Sequence, residues 1–414
     1  MGEAVRAVPW LVLFAAAMGG LSAESGNIAW RCLSHIALQC LGIAVAYQSS
    51  CPMNDRRRST DERADTTNMY SLYKYAPLAA AIALGACAAA GSHSALDQKG
   101  AATFTNPLLP SGPDPWVTQE GGVYYYTHTL GDRIGLWRTR DVTDLEHAEY
   151  RTVWTPPAQG PNAHSIWAPE LHRINKKWYL YYSATASGFK DDAHRGVFVL
   201  ENASIDPFQG GWVDRGRVNT AWAGIDGTVF EHRGTLYFAY SPYLDAISGI
   251  ALARLSDPWT IAGDEVVVAK ADQPFENQGG RQIMEGPEFL AGPRGQVFLT
   301  YSAGACWSDN YALGLLRADG SNLLSPTAWT KSPIPVLASG NGVFATGHNG
   351  FFRSPDGREQ WIVFHGNPAA NMGCTARRAP YLSRVRWTAS GEPKIDPPSS
   401  PDTRIAKPGG MTER

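Results

Sequence analysis

Four carboxylate residues and one histidine, each beside proline or glycine, recur along the chain at similar intervals. They are Asp114 in Pro-Asp-Pro-Trp, Glu170 in Trp-Ala-Pro-Glu, Asp226 in Ile-Asp-Gly, Glu285 in Met-Glu-Gly and His348 in Gly-His-Asn-Gly. A single acidic residue in such a context is usually a turn residue that hydrogen-bonds to its own backbone. Packing does not require several carboxylates to converge, because unpaired charges are costly to bury. A hydrolytic site does require it, so the pattern predicts hydrolytic chemistry.

Each of these residues precedes a short segment in which aromatic and apolar residues alternate. The segments read VYYYTHT from Val123, WYLYYS from Trp178, LYFAYS from Leu236, VFLTYS from Val297 and WIVFHG from Trp361. Tyr124 and the first residues of the other four segments are 54, 58, 61 and 64 residues apart. That period is typical of a β-propeller with one four-stranded sheet per blade. We therefore predict an all-β, five-bladed β-propeller over residues 104–398, with the five polar residues around its central channel.

The composition excludes some classes of partner and favours another. Thirty-six basic and 38 acidic residues leave a formal charge of −2, so no electrostatic footprint for nucleic acid is expected. The chain is rich in rings, with 14 tryptophans, 17 tyrosines and 14 phenylalanines. Most of them are expected to be strand residues. The remainder suit an oligosaccharide or polysaccharide, whose C–H faces stack on aromatic rings.

The segment from Met69 to Cys87 has the order of a secretory signal. A lysine at position 74 is followed by an apolar run, and the segment ends in Leu-Gly-Ala-Cys. The apolar run is too short for a comfortable transmembrane helix. The Leu-Gly-Ala-Cys ending resembles a bacterial lipobox, so we expect a lipid on Cys87 and membrane contact only through that lipid. The predicted location is secreted or lipid-anchored in the bacterial cell envelope.

The rest of the domain organisation follows from this signal. Residues 1–68 precede it and are predicted either to lie outside the native protein, which would start at Met69, or to be disordered. Residues 88–103 are expected to form a linker and residues 399–414 a tail. Only two cysteines, Cys306 and Cys374, remain in the predicted propeller. In an exported protein such a pair can form a disulfide, and without a Cys-x-x-Cys pair a structural zinc site is not expected.

The segments PDPW, IDGTVF, MEGPEF and TGHNGF together resemble glycoside hydrolase family 43 over residues 104–390. The resemblance implies an inverting glycoside hydrolase with Asp114 as general base and Glu285 as general acid. It gives Asp226 the role of orienting the acid and tuning its pKa. His348 matches the family's central histidine, which commonly helps to hold a calcium ion or a water cluster. No cofactor is expected for the chemistry itself.

An inverting glycosidase needs an acid and a base on opposite faces of the sugar, about 6.5–9.5 Å apart. Residues on facing blades can span that gap across a channel. Glu285 has to stay protonated near neutral pH, so its pKa is expected to be raised by enclosure and by the charge of Asp226.

Longer runs, among them TNPLLPSGPDPWV and IDGTVFEHRGTLYF, resemble the exo-acting α-L-arabinofuranosidase branch of that family. The expected reaction is the release of terminal arabinofuranose from arabinan or arabino-oligosaccharides. Trp167, Trp116 and Trp222 are candidates for binding the sugar, with blade packing as the alternative for each. Glu170 either lines the channel or pairs with a basic neighbour.

Three alternatives stay open at this point. A β-D-xylosidase or an endo-arabinanase would use the same fold and the same carboxylates. A non-catalytic carbohydrate-binding propeller is expected to lose at least one carboxylate, whereas all three are present here. The chain has no Gly-x-Ser-x-Gly elbow for serine hydrolase chemistry. It also lacks the Arg-Asp-Pro and Glu-Cys segments that β-fructosidases of a related fold carry.

Overall fold

The computed structural model describes residues 102–320 and 322–411. The predicted signal segment with Cys87, residues 1–68 and all but the last two residues of the predicted linker lie outside this range. The described residues form 22 strands and three 3₁₀ turns, at Asp192–His194, Pro274–Glu276 and Pro326–Ala328. In these residues there is no helix of sufficient length and apolar character to span a bilayer.

Twenty of the strands form five antiparallel four-stranded sheets in which neighbours in sequence are neighbours in space. This confirms the predicted five-bladed propeller. Blade 1 contains β2 (Trp116–Glu120), β3 (Val123–Thr127), β4 (Ile134–Thr139) and β5 (Glu149–Trp154). Blade 2 contains β6 (His164–Ile174), β7 (Lys177–Thr185), β8 (Arg195–Asn202) and β9 (Val213–Arg217). Blade 3 contains β10 (Gly224–His232), β11 (Thr235–Leu244), β12 (Ile247–Asp257) and β13 (Thr260–Lys270).

The last two blades follow the same order. Blade 4 contains β14 (Met284–Ala291), β15 (Val297–Ala303), β16 (Ala312–Ala318) and β17 (Trp329–Lys331). Blade 5 contains β18 (Phe344–Arg353), β19 (Gln360–Asn367), β20 (Ala379–Trp387) and β21 (Pro393–Ile395). The second strand of each blade is the alternating aromatic segment seen in the sequence.

The blades close into a ring because the first strand of each blade contacts the first strand of the next, and β18 returns to β2. Five hydrophobic clusters fill the spaces between neighbouring blades. Trp178 and Trp361, at equivalent places on β7 and β19, are almost completely buried in two of these clusters. A sheet buried on both faces explains why the second strands are rich in large aromatic residues on both sides.

The ends of the described chain meet on blade 5. A two-stranded sheet pairs β1 (Thr103–Phe104) with β22 (Ile405–Ala406), so the segment predicted as a tail contributes a strand. The Asn106 side chain exchanges two hydrogen bonds of 2.9 Å with the backbone of Leu382 on β20. These contacts fix the segment that leads to Asp114 against the last blade.

Candidate active site

In each of the five blades, one residue in or just before the innermost strand has a left-handed backbone conformation. The residues, hereafter the ring residues, are Asp114 (φ 54°), Ala168 (φ 44°), Asp226 (φ 58°), Gly286 (φ 54°) and His348 (φ 46°). In four blades a register shift in the pairing of the first two strands coincides with the ring residue. Non-glycine residues rarely adopt this conformation, and such strain is concentrated at functional sites.

This geometry corrects the predicted equivalence of the five polar residues. Ala168, and not Glu170, is the counterpart of Asp114 in blade 2. In blade 4 the counterpart is Gly286, so Glu285 lies one residue earlier in its blade than Asp226 does. Sequence spacing could not show this, because glycine and proline flank several candidate positions in each motif.

The backbone N–H of every ring residue donates a hydrogen bond to a side chain of the preceding blade. The pairs are Asp114 with His365 Nδ1 (3.0 Å), Ala168 with Thr129 Oγ1 (2.7 Å), Asp226 with Ser183 Oγ (2.8 Å), Gly286 with Asp226 Oδ2 (3.1 Å) and His348 with Ser302 Oγ (2.8 Å). Four acceptors lie on or just after the second strand of their blade. The exception is Gly286, whose acceptor is the carboxylate of Asp226 itself, which ties Asp226 to the backbone beside Glu285.

Asp114 is surrounded by groups that favour its ionised form. Its Oδ1 lies 2.9 Å from Arg378 Nη1, and its Oδ2 accepts a hydrogen bond of 2.6 Å from Thr129 Oγ1. Burial alone would raise its pKa, but the charge of Arg378, together with His348 and His365, holds the pKa well below its usual value. Burial and the charge of Arg378 lower the pKa of His365 to about 3, so its ring is neutral. Asp114 is therefore a carboxylate throughout the neutral range.

Asp226 and Glu285 have the opposite tendency. Burial, the charge of Glu285 and the charge of Asp114 raise the pKa of Asp226 well above its usual value. Burial is also the main cause that raises the pKa of Glu285 to about 7. Two buried carboxyl groups that repel each other cannot both be ionised cheaply. Asp114 is therefore ionised, whereas the neighbouring pair, Asp226 and Glu285, retains a proton.

Tyr311, which precedes β16, is a site residue that the sequence analysis missed. Its hydroxyl donates a hydrogen bond of 2.7 Å to Glu285 Oε1. Its ring lies against Gly347, where an added Cβ would be only 2.2 Å from the tyrosine ring. Glycine before His348 is therefore required for Tyr311 to reach Glu285. Tyr311 belongs to no repeated motif, so no signal in a single sequence could have identified it.

The three carboxylates border one cavity of about 340 Å³ at one end of the channel. Trp167 and Trp307 also line it, and so do Arg281, Arg378 and Asp192. Trp167 is stacked against Arg195, whose guanidinium carbon is 3.5 Å from the ring centroid. Trp307 is 47% exposed, which leaves a ring face at the rim. The cavity joins charge at its base to flat apolar surface on its sides, the combination that sugars bind.

The other two predicted tryptophans do not line this cavity. Trp116 packs against His172, with ring centroids 4.8 Å apart, and its Nε1 donates to Leu171 O at 2.9 Å. Trp222 packs against the hydrophobic cluster between blades 2 and 3. Trp116 and Trp222 therefore pack between blades and do not line the cavity, because their side chains face a neighbouring blade.

Glu170 lies in the channel two residues beyond its ring residue, as Glu288 does in blade 4. Glu170 Oε2 is 2.8 Å from His172 Nε2. Burial and the charge of Glu170 raise the pKa of Glu288 well above its usual value, and Glu288 Oε1 has no hydrogen-bond partner. These two carboxyl groups form a second polar layer away from the cavity, and Glu170 does not line the cavity.

His348 stands between the two aspartates at the base of the cavity. Its Nδ1 is 3.6 Å from Asp114 Oδ1 and 3.9 Å from Asp226 Oδ2, and burial lowers its pKa. Calcium binds six to eight oxygen ligands. Within the described part of the chain, no three residues among His, Cys, Asp and Glu are arranged to hold a metal ion. These protein groups alone do not supply the oxygen ligands that a calcium ion needs. A calcium ion in the central channel stays a prediction.

Cys306 and Cys374 form a disulfide, with Cα atoms 5.1 Å apart. It joins the loop after β15 to the loop before β20, and both cysteines line the cavity. The first loop carries Trp307 and the second carries Arg378. The bond therefore connects the walls contributed by blades 4 and 5.

The chain is similar in sequence and in fold to known proteins. Residues 104–393 match the glycosyl hydrolases family 43. An extracellular exo-alpha-(1->5)-L-arabinofuranosidase of Streptomyces chartreusis is 38% identical over 276 residues, which cover 64% of this chain and 82% of that protein. A protein of the same name from Streptomyces avermitilis is 33% identical over 326 residues, with coverage of 74% and 66%.

Among solved structures, an alpha-L-arabinofuranosidase from Lactobacillus brevis is similar with a TM-score of 0.68 and 29% identity. The similarity covers 72% of this chain and 98% of that one. The motifs PDPW, IDGTVF and MEGPEF, which contribute Asp114, Asp226 and Glu285 to the cavity, all lie inside the matched region. The chain is a member of glycosyl hydrolases family 43.

Proposed function

We propose that this enzyme is an inverting glycoside hydrolase that releases terminal α-L-arabinofuranose from arabinan or arabino-oligosaccharides. The observation that carries the proposal is the division of protonation states in one cavity. Arg378 and its neighbours hold Asp114 ionised, whereas burial raises the pKa of Glu285 to about 7. A base and an acid that coexist near neutral pH are what inverting hydrolysis needs.

In the proposed reaction Glu285 donates its proton to the glycosidic oxygen as the bond to the anomeric carbon breaks. Asp114 accepts a proton from a water molecule, whose oxygen attacks the anomeric carbon from the opposite face. The products are an arabinose of inverted configuration and a shortened chain. Glu285 is left ionised and Asp114 protonated, and both states are restored by exchange with solvent. Asp226, held by the Gly286 N–H, forms with Glu285 the buried pair that retains a proton near neutral pH, so its carboxyl group disfavours loss of that proton from Glu285 to solvent.

Two features support arabinofuranose at a chain end as the substrate. The cavity of about 340 Å³ is at the small end of ligand pockets and suits one sugar unit. The relatives from the two Streptomyces species carry the name exo-alpha-(1->5)-L-arabinofuranosidase.

Their description as extracellular also supports export of this chain. The lipobox-like Leu84-Gly85-Ala86-Cys87 supports a lipid on Cys87. When the full chain is expressed in bacteria with a labelled fatty acid, the wild type is expected to carry label and Cys87→Ser to carry none. Label on both proteins would contradict the anchor.

The test of the activity compares para-nitrophenyl α-L-arabinofuranoside with the β-D-xylopyranoside. The wild type is expected to hydrolyse the arabinoside, and proton NMR is expected to show the inverted anomer first. On arabino-oligosaccharides, whose leaving group needs a proton, Glu285→Gln should lose the activity, whereas Glu392→Gln, a partly buried acid that pairs with Arg317 away from the cavity, should keep it. Hydrolysis mainly of the xyloside would replace the proposed substrate, and first release of the retained anomer would contradict the mechanism.

A further inference from the structure

The rim of the cavity is made of loops that are joined to one another by three contacts. Cys306–Cys374 links blades 4 and 5 covalently. Asn371 N donates to Asp309 Oδ2 at 2.9 Å, which joins the same two loops. Trp307 Nε1 donates to Gly279 O at 3.0 Å, which extends the wall to the segment before β14. This part of the rim is therefore held by a covalent bond and by hydrogen bonds to backbone groups.

The wall continues across blade 3 through a single ion pair. Arg281 Nη2 lies 3.4 Å from Asp192 Oδ2, and both side chains line the cavity. Asp192 lies between β7 and β8 of blade 2, whereas Arg281 precedes β14 of blade 4. The pair thus joins a loop of blade 2 to the segment that connects blade 3 with blade 4.

Asp192 is held in place from the other side. Its Oδ1 is 3.6 Å from Arg195 Nε, and Arg195 is stacked on Trp167. Asp191 accepts the backbone N–H of His194 at 3.1 Å and so caps the 3₁₀ turn that contains Asp192. The ion pair therefore connects the tryptophan wall on one side of the cavity to the disulfide-tied wall on the other.

We propose that the Asp192–Arg281 ion pair closes one end of the sugar cavity and thereby determines that the enzyme acts on chain ends. The inference rests on the proposed function. With the pair formed, a polymer cannot continue past the bound sugar in the direction of blade 3. With the pair broken, the two loops can separate and an internal segment can enter. Both side chains are 44% exposed, so this link, unlike the disulfide, is sensitive to salt.

The experiment uses the full chain and linear arabinan, with the ratio of oligosaccharides to free arabinose as the readout. Wild type is expected to release mainly arabinose, with a small, measurable fraction of longer oligosaccharides. Arg281→Gln and Asp192→Asn are each expected to raise internal cleavage relative to terminal cleavage by about five-fold, which corresponds to an ion pair of about 1 kcal/mol. Arg281→Lys, which keeps the positive charge beside Asp192, should leave the ratio nearer to the wild-type value than Arg281→Gln does. High salt should raise the ratio of oligosaccharides to arabinose for the wild type, toward the values of the single variants.

Arg386→Gln is the matched control, because Arg386 forms an exposed ion pair with Asp396 on blade 5 outside the cavity. It should leave the ratio unchanged. Single variants whose ratio equals that of the wild type, at any salt concentration, would overturn the closing role of the pair. Loss of all activity in the wild type would instead overturn the proposed function, and hydrolysis of para-nitrophenyl arabinofuranoside by each protein separates the two cases.

Discussion

The blade interiors and the ring around the cavity are made from the same five repeats, but different forces decide their structure. Between the blades, large side chains such as Trp178 and Trp361 are packed at equivalent positions and almost fully buried. In the ring, the shared feature is a strained backbone conformation, and the side chains differ from blade to blade: Asp, Ala, Asp, Gly and His. The packing residues between blades are therefore similar from blade to blade, whereas the polar residues at the cavity occupy positions where the five repeats differ.

The comparison also separates the sources of stability. Burial of a large aromatic side chain stabilises the fold by several kcal/mol. Buried carboxyl groups with raised pKa values, such as Glu285 and Glu288, oppose folding when they ionise. Packing between the blades therefore stabilises the fold, whereas the carboxyl groups of the active site, where an acid with a high pKa is needed, reduce that stability.

The largest effect is expected for Glu285→Gln. It should lower kcat on arabino-oligosaccharides by about 10²–10⁴-fold, the usual contribution of a general acid, because glutamine cannot donate the proton. The melting temperature near neutral pH should not fall, because a group whose charge is unfavourable has been removed. Steady-state kinetics and thermal unfolding measure the two quantities. A variant with lower stability and unchanged kcat would contradict the separation between the active site and the blade interiors.

Trp178→Ala tests the blade interior in the same way. Removal of a fully buried tryptophan is expected to cost about 3–5 kcal/mol of unfolding free energy. Activity at a temperature well below the transition should stay near that of the wild type, because the residue contacts no group of the cavity. Urea unfolding and activity at low temperature provide the measurements. Trp154→Ala, on the partly buried outer strand of blade 1, is the smaller-effect comparison.

The pH dependence of stability gives a finer test of the carboxyl groups at the cavity. The folded pKa of Glu285, about 7, lies above its ordinary value of 4.5, so the folded state binds the proton more tightly. This contribution is fully present below pH 4.5 and is lost as the pH rises through about 7. Glu285→Gln should therefore match the wild type near pH 4.5 and be more stable than it at pH 8. Equal melting temperatures at both values would argue that the pKa of Glu285 is not raised.

The smallest effect concerns strain outside the ring. Lys176, in the exposed two-residue turn between β6 and β7, has φ of 67°. Asn-Gly is the preferred sequence of such turns, so Lys176→Gly should raise the unfolding free energy by up to about 1 kcal/mol. Lys394→Gly, on the exposed side of β21, should lower it. Activity should be unchanged in both, because strain in a hairpin turn, unlike strain in the ring, positions no site residue.

Much of the fold and of the site is predictable from the sequence, because the features that indicate them lie within a few neighbouring residues. Strand alternation gave the five blades, and the residues beside Gly and Pro led to Asp114, Asp226 and Glu285. The phase of the repeat was less visible, since Ala168 and Gly286 carry no chemistry and so did not stand out. The sequence does not distinguish whether Trp116 and Trp222 pack between blades or line the cavity, because both kinds of tryptophan have similar local sequences.

The sequence by itself determined the blade count, the interblade aromatic residues and the acidic residues at the inner strands, because each depends on neighbours a few residues away. Only the tertiary structure decided the protonation states, the partners and the walls of the cavity. Asp114 is ionised because of Arg378, 264 residues later in the chain. Glu285 retains its proton because closure of the ring removes water and brings other carboxyl groups near it. Charge interactions act through space, and the closed ring of blades sets those distances.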